Sequence, residues 1–83
     1  MSDTANIDPP SIKAAFGKVV ASRRIEAALE QETFAKVCGL GASHLRKIEA
    51  GTVSPTLITV AKIAGALGTT SADIVDAYER LLR

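Results

Sequence analysis

Residues 43–47 read Ser-His-Leu-Arg-Lys, and their types suit binding better than catalysis. If Leu45 and Ile48 face inward on a helix, the 3.6-residue period turns Ser43, Arg46, Lys47 and Ala50 outward, with His44 on the flank. That face carries two cations and two hydrogen-bonding side chains, which is what a helix needs to enter a major groove and read base edges. Taken alone, Arg46-Lys47 is equally compatible with a solvated basic edge, and His44 with capping or packing. No catalytic constellation competes with this reading. One histidine, His44, and one cysteine, Cys38, are too few for a metal site or an intramolecular disulfide. No phosphate-cradling glycine run and no pair of carboxylates on a common cleft wall is present, so no enzyme activity, metal, cofactor or small-molecule ligand is expected. Cys38 falls on the inward side of its helix, where a small buried hydrophobe belongs.

Helices must position these residues, because helical punctuation recurs along the chain and strand alternation is nearly absent. Asp8-Pro9-Pro10-Ser11 offers cap and first-turn residues, and Ile12, Phe16, Val19 and Val20 predict a helix over about 12–27. Gly17 inside that pattern marks a close approach by a neighbouring element. A second helix spans about Gln31 to Cys38 and is stopped by Gly39; a third runs to about Ala50 and ends at Gly51. A fourth covers about Thr56 to Leu67, with Val60, Ile63, Ala64 and Leu67 at core spacing. The fifth is capped by Ser71 and continues through Ile74, Val75, Tyr78, Leu81 and Leu82. The sequence therefore predicts an all-α, five-helix compact domain, and the glycine-containing turn between the second and third helices makes them a helix-turn-helix.

Several positions then fall into one register: Phe16-Gly17, Val20, Arg24, Gln31-Glu32-Thr33-Phe34-Ala35, Gly39, Leu45, Ile48-Glu49-Ala50-Gly51, Pro55, Leu57, Ala61, Ile63-Ala64 and Ala66-Leu67-Gly68. Over about residues 16–75 the chain resembles the Xre/Cro-like helix-turn-helix regulators, which include phage repressors and small restriction–modification controller proteins. The resemblance implies that Gln31 contacts a phosphate and braces the recognition helix, and that Ala42, Ser43, His44, Arg46 and Lys47 face DNA. It also implies an ion pair between Arg24 and Glu49, and sugar-phosphate contacts from the Gly51–Ser54 loop, hence Thr52 and Ser54. Departures from the pattern are Ala28 for a glycine in the first turn, Glu30 for a capping Ser or Thr, and Gly41 for the cap of the recognition helix.

With 83 residues there is room for one small domain, read as a flexible tail over 1–10 followed by a helix-turn-helix domain over 11–83. Net charge is +1, but residues 11–62 carry eight basic and four acidic groups, so the middle of the chain is where a polyanion would bind. No apolar run is long enough to span a membrane, and neither a signal peptide nor a disulfide requirement is apparent; a cytoplasmic, nucleoid-associated location is expected. The apolar stripe Ile74, Tyr78, Leu81 and Leu82 exceeds what a domain this small readily buries. It predicts either a homodimer interface or a helix folded back over the first and fourth helices. The leading expectation is a homodimeric transcription regulator on an inverted-repeat operator, controlled by its own concentration. The rival is a protein-interaction module, an antitoxin or adaptor, in which DNA binding is secondary; such a module has no use for the basic face of residues 43–47.

Overall fold

The first turn of a helix leaves its N–H groups without intrahelical acceptors, so proline loses nothing there. In the computed structural model, which describes residues 8–83, Pro9 and Pro10 form the first turn of α1 (Pro9–Glu26). Ser11 Oγ donates to Asp8 Oδ2 at 2.6 Å, holding the N-cap residue in place. The helix thus begins ahead of the expected position 12 and takes in Pro9 and Pro10, which do not belong to a flexible tail. Residues 1–7, the remainder of that tail, lie outside the described residues. After α1 come α2 (Gln31–Cys38), α3 (Ala42–Glu49), α4 (Leu57–Ala66) and α5 (Ser71–Leu81), with no strand among the described residues.

The first four helices stop by one device. A left-handed residue turns the chain, and the next N–H reaches back to a carbonyl five residues earlier: Leu29 to Arg24, Leu40 to Ala35, Thr52 to Lys47 and Thr69 to Ala64, at 2.8–3.2 Å. Glycine fills the left-handed slot at Gly39, Gly51 and Gly68, but after α1 the slot holds Ala28, at φ 59°. Its Cβ crowds the neighbouring carbonyl oxygen there. The cap of α5 is Thr70, whose hydroxyl accepts from the Asp73 N–H at 3.1 Å, and not the expected Ser71, which is already the first helical residue.

Phe34, Leu45, Ile48, Ile63, Ile74 and Val20 are the large side chains sealed from solvent, and with Phe16 and Cys38 they form one core. α1 runs through the middle and packs on α3 and α5, while α2 packs on α3 and α4. Gly17 is where α1 meets α3 backbone to backbone: a Cβ there would lie 2.5 Å from the Ile48 carbonyl oxygen and 2.7 Å from that of Glu49. The close approach expected at Gly17 is therefore the contact that seats the third helix.

α5 corrects part of the interface expectation. Ile74 is fully buried in the chain's own core, so it has no surface to offer a partner. Tyr78 is half-buried, its ring edge-on to Phe16 with centroids 6.1 Å apart. The fold-back reading holds for these two residues because α1 supplies an apolar surface that the stripe covers first. Leu82 is half-buried and Leu81 exposed. Among the described residues no single helix is long and apolar enough to cross a membrane.

Candidate nucleic-acid interface

The orientation of α3 follows from its two large apolar side chains. Leu45 and Ile48 are sealed in the core, so the helical period places Ser43, His44, Arg46, Lys47 and Ala50 in solvent. No ion pair among the described residues engages Arg46 or Lys47, which leaves both charges available to an anion. Ala42 behaves differently: its methyl is half-buried against the core, so in the first turn of α3 it serves packing. Ser43, Arg46 and Lys47 are then the polar side chains that α3 turns to solvent, with His44 beside them.

A buried polar network fixes α3 against the two preceding helices. Arg24 Nε donates to Glu49 Oε2 at 2.7 Å and Arg24 Nη2 to Glu49 Oε1 at 3.0 Å, a two-pronged contact between side chains only 14% and 6% exposed. Arg24 Nη1 also donates to the Leu29 carbonyl at 2.8 Å, which ties down the turn after α1. The Glu49 carboxylate raises the proton affinity of Arg24 against the opposing effect of burial, so the guanidinium stays charged. Gln31 Nε2 completes the set by donating to Glu49 Oε1 at 2.8 Å. Gln31 is the first residue of α2, and its neighbour Glu30 makes no side-chain cap bond, as its type predicts. The network brings together three residues singled out in the sequence, and gives Gln31 the bracing half of its expected role.

The loop after α3 departs from expectation at one position. Thr52 directs both its N–H and its hydroxyl to the Lys47 carbonyl, each at 3.1 Å. With both donors turned to the end of α3, Thr52 closes the helix and holds no donor for a phosphate. Ser54 is exposed in the same loop. Cys38 is buried, and burial, helped by the Glu49 carboxylate, pushes its thiol up to about 11, which keeps it a neutral packing group. No cluster of metal-ligating side chains occurs among the described residues.

A second clamp carries no signal in the sequence. Arg23 Nη1 donates to Asp73 Oδ2 at 2.8 Å, and Thr69 Oγ1 donates to the same oxygen at 2.9 Å, fastening α5 to α1. These residues are 50 apart and belong to no motif, so only the fold brings them together.

Five helices around one core, with an outward cationic third helix locked by its inner side, define a helix-turn-helix domain. The chain belongs to the HTH_3 helix-turn-helix family of Xre-like DNA-binding transcription regulators, whose profile matches residues 20–74. Its fold is similar to that of the restriction–modification controller protein C.AhdI from Aeromonas hydrophila, with TM-score 0.72 and 29% identity over 75% of this chain and 94% of that one. It is similar also to the clp gene regulator ClgR from Corynebacterium glutamicum, with TM-score 0.80 and 20% identity over 86% of this chain and 76% of that one. An HTH_3 family transcriptional regulator from Vibrio cholerae gives TM-score 0.80 and 24% identity, and 89% of this chain matches 42% of it. No curated protein is significantly similar in sequence.

Proposed function

We propose that this chain is a sequence-specific transcription regulator that binds an inverted-repeat operator as a homodimer, with one α3 in each of two successive major grooves about 34 Å apart. One observation carries the reading: Arg46 and Lys47 project, unpaired, from a helix whose opposite side is sealed by Leu45, Ile48 and the Glu49 network. A rigid helix presenting uncompensated cations is suited to a groove, and an adaptor surface has no need of one. Ser43, Arg46 and Lys47 read bases, and His44 touches the flank of the site. The first turn of α2 at Gln31 and the loop at Ser54 meet phosphates, which set the register of the helix. The similarity to a restriction–modification controller protein supports a regulatory role. Leu81 and Leu82 at the end of α5 contribute to the contact between the two copies.

The reading is tested by selecting bound sites from a random duplex pool and measuring mobility shifts on the selected sequence. A palindrome with half-sites one helical turn apart is expected. No enrichment, at low salt and high protein concentration, would overturn it.

A further inference from the structure

The chain enters α1 along a fixed line. Asp8, the N-cap residue, is held at φ −120° and ψ 112°, because the residue before a proline is kept out of the helical region. Ser11 ties the Asp8 carboxylate to the first turn. Ile7 stands immediately ahead of this cap, and the fourth residue of α1 is Ile12. An apolar pair at these two positions packs together across the start of a helix and fixes the direction from which the chain arrives.

Ile12 is half-buried and forms one wall of a pocket of about 240 Å³, with Phe16, Val60, Val75 and Tyr78. Small-molecule sites run to roughly 300–1,000 Å³ and carry convergent polar groups; this pocket is smaller and mainly apolar, and suits one branched aliphatic side chain. Leu57 also lines it and is 89% exposed, so the described residues leave the apolar wall open to solvent.

We propose that the segment before α1 docks on its own domain, with the Ile7 side chain seated in this pocket between α1, α4 and α5. Position favours this occupant, since the residue that pairs with Ile7 across the helix start is itself part of the pocket wall. Connectivity favours it too. Ile7 is joined to the cap by a single peptide bond, which gives it an effective concentration that a free partner does not match. Charge agrees: Lys13 is the one charged residue lining the pocket and has no ion-pair partner among the described residues, while the one charged side chain within residues 1–7 is Asp3, of opposite sign. Because α5 supplies Val75 and Tyr78 to the wall, the docked segment fastens α5 to α1 at a second point, apart from Arg23 and Asp73. Nothing in this docking requires DNA, so it stands or falls separately from the operator reading.

Tyr78 is the one tyrosine and the chain has no tryptophan, so intrinsic fluorescence reports from the pocket wall. The full chain is compared as wild type, Ile7→Ser and Ile7→Leu by acrylamide quenching of Tyr78, by thermal unfolding, and by NMR contacts between the Ile7 methyl groups and the Tyr78 ring. Position 7 precedes α1, so all three chains are expected to fold with the same helix content. Wild type is expected to show the Ile7–Tyr78 contacts. Ile7→Ser is expected to make Tyr78 easier to quench and to lower the thermal midpoint by about 4–8 °C, and Ile7→Leu to stay close to wild type in both. An Ile7→Ser chain that is quenched and unfolds like wild type would overturn the proposal. So would a lowered midpoint with no change at Tyr78, which would confine Ile7 to Ile12 outside the pocket. Ile7–Tyr78 contacts that run only between differently labelled copies would overturn it as well, by handing the pocket to a second chain.

Discussion

Arg23 and Arg24 are consecutive on α1, yet they leave the helix toward different partners and under different physical regimes. Arg24 reaches into the interior, where two of its nitrogens meet Glu49, a third meets a backbone carbonyl, and Gln31 donates to the same Glu49 oxygen as Arg24 Nη2. Arg23 reaches across the surface to a single oxygen of Asp73, with side chains 31% and 43% exposed. Water screens the second contact and is largely excluded from the first. The strong, geometrically determined connection goes to α3, whose outward side chains are the proposed readers of DNA; the weak one goes to α5, which needs only to stay docked. Rigidity is thus concentrated behind the helix proposed to carry recognition.

Removing one side of the buried network is therefore expected to have the largest effect. Glu49→Ala leaves the Arg24 guanidinium in a mostly dry site without its carboxylate, a loss of about 3–5 kcal/mol, which in a domain this small is a large share of the total stability. Urea unfolding measures it. Replacing Arg24 and Glu49 together by leucine is expected to cost less than Glu49→Ala, since no charge is stranded. Strict additivity of the single changes would show that the two do not interact.

Next in size are Arg46→Ala and Lys47→Ala, which act on binding and leave folding intact, because neither side chain touches the core. A bidentate contact to guanine is worth about 1–3 kcal/mol, and its loss relaxes specificity at one base pair. A phosphate contact instead weakens all sequences alike and makes the salt dependence shallower. Unchanged affinity in the double variant at low salt would detach the buried network from any role in positioning a reader of DNA.

The two clamps also differ in how far they were legible. Arg24 and Glu49 stand at positions of a motif register, and Leu45, Ile48 and Gly17 announce their packing through helical spacing alone. Arg23 and Asp73 carry no pattern, because a surface pair arises wherever two helices happen to cross. Ile74 shows a related limit. Periodicity marks it as apolar-facing but does not say whether the cover is α1 or another molecule, and the fold supplies α1. Thr69-Thr70-Ser71 offers three possible caps in a row, and only the backbone geometry selects Thr70. Thr52 bears the expected hydroxyl, but the tight turn at Gly51 directs it to the Lys47 carbonyl.

A smaller effect, of opposite sign, is expected at Ala28. Its left-handed backbone costs roughly 1–2 kcal/mol for an L-residue, and glycine gives back part of that gain, about 0.4–1 kcal/mol, through the greater entropy of the unfolded chain. Ala28→Gly is therefore expected to raise stability by about 0.5–1 kcal/mol, read by thermal or urea unfolding, with operator affinity unchanged. A loss of stability would mean that the neighbouring Arg24–Leu29 contact depends on the alanine side chain.

The smallest effect is expected at the exposed clamp, and its signature is pH. Hydrogen bonds from Arg23, and then Thr69, hold the Asp73 carboxyl below its ordinary value of 3.8. The folded chain thus binds this proton less readily than the unfolded chain does. The clamp's contribution is fully present above the ordinary carboxylate value and fades as pH falls through the lower folded value. Asp73→Asn is expected to lower the thermal midpoint slightly at pH 7, well short of the Glu49→Ala loss, and the gap to wild type should close in acid, below about pH 4. High salt should narrow the gap at pH 7, because the pair is solvent-exposed. A gap that stays constant from neutral pH into acid would show that Asp73 acts by shape rather than charge. A gap as wide as that of Glu49→Ala would erase the distinction between the two arginines.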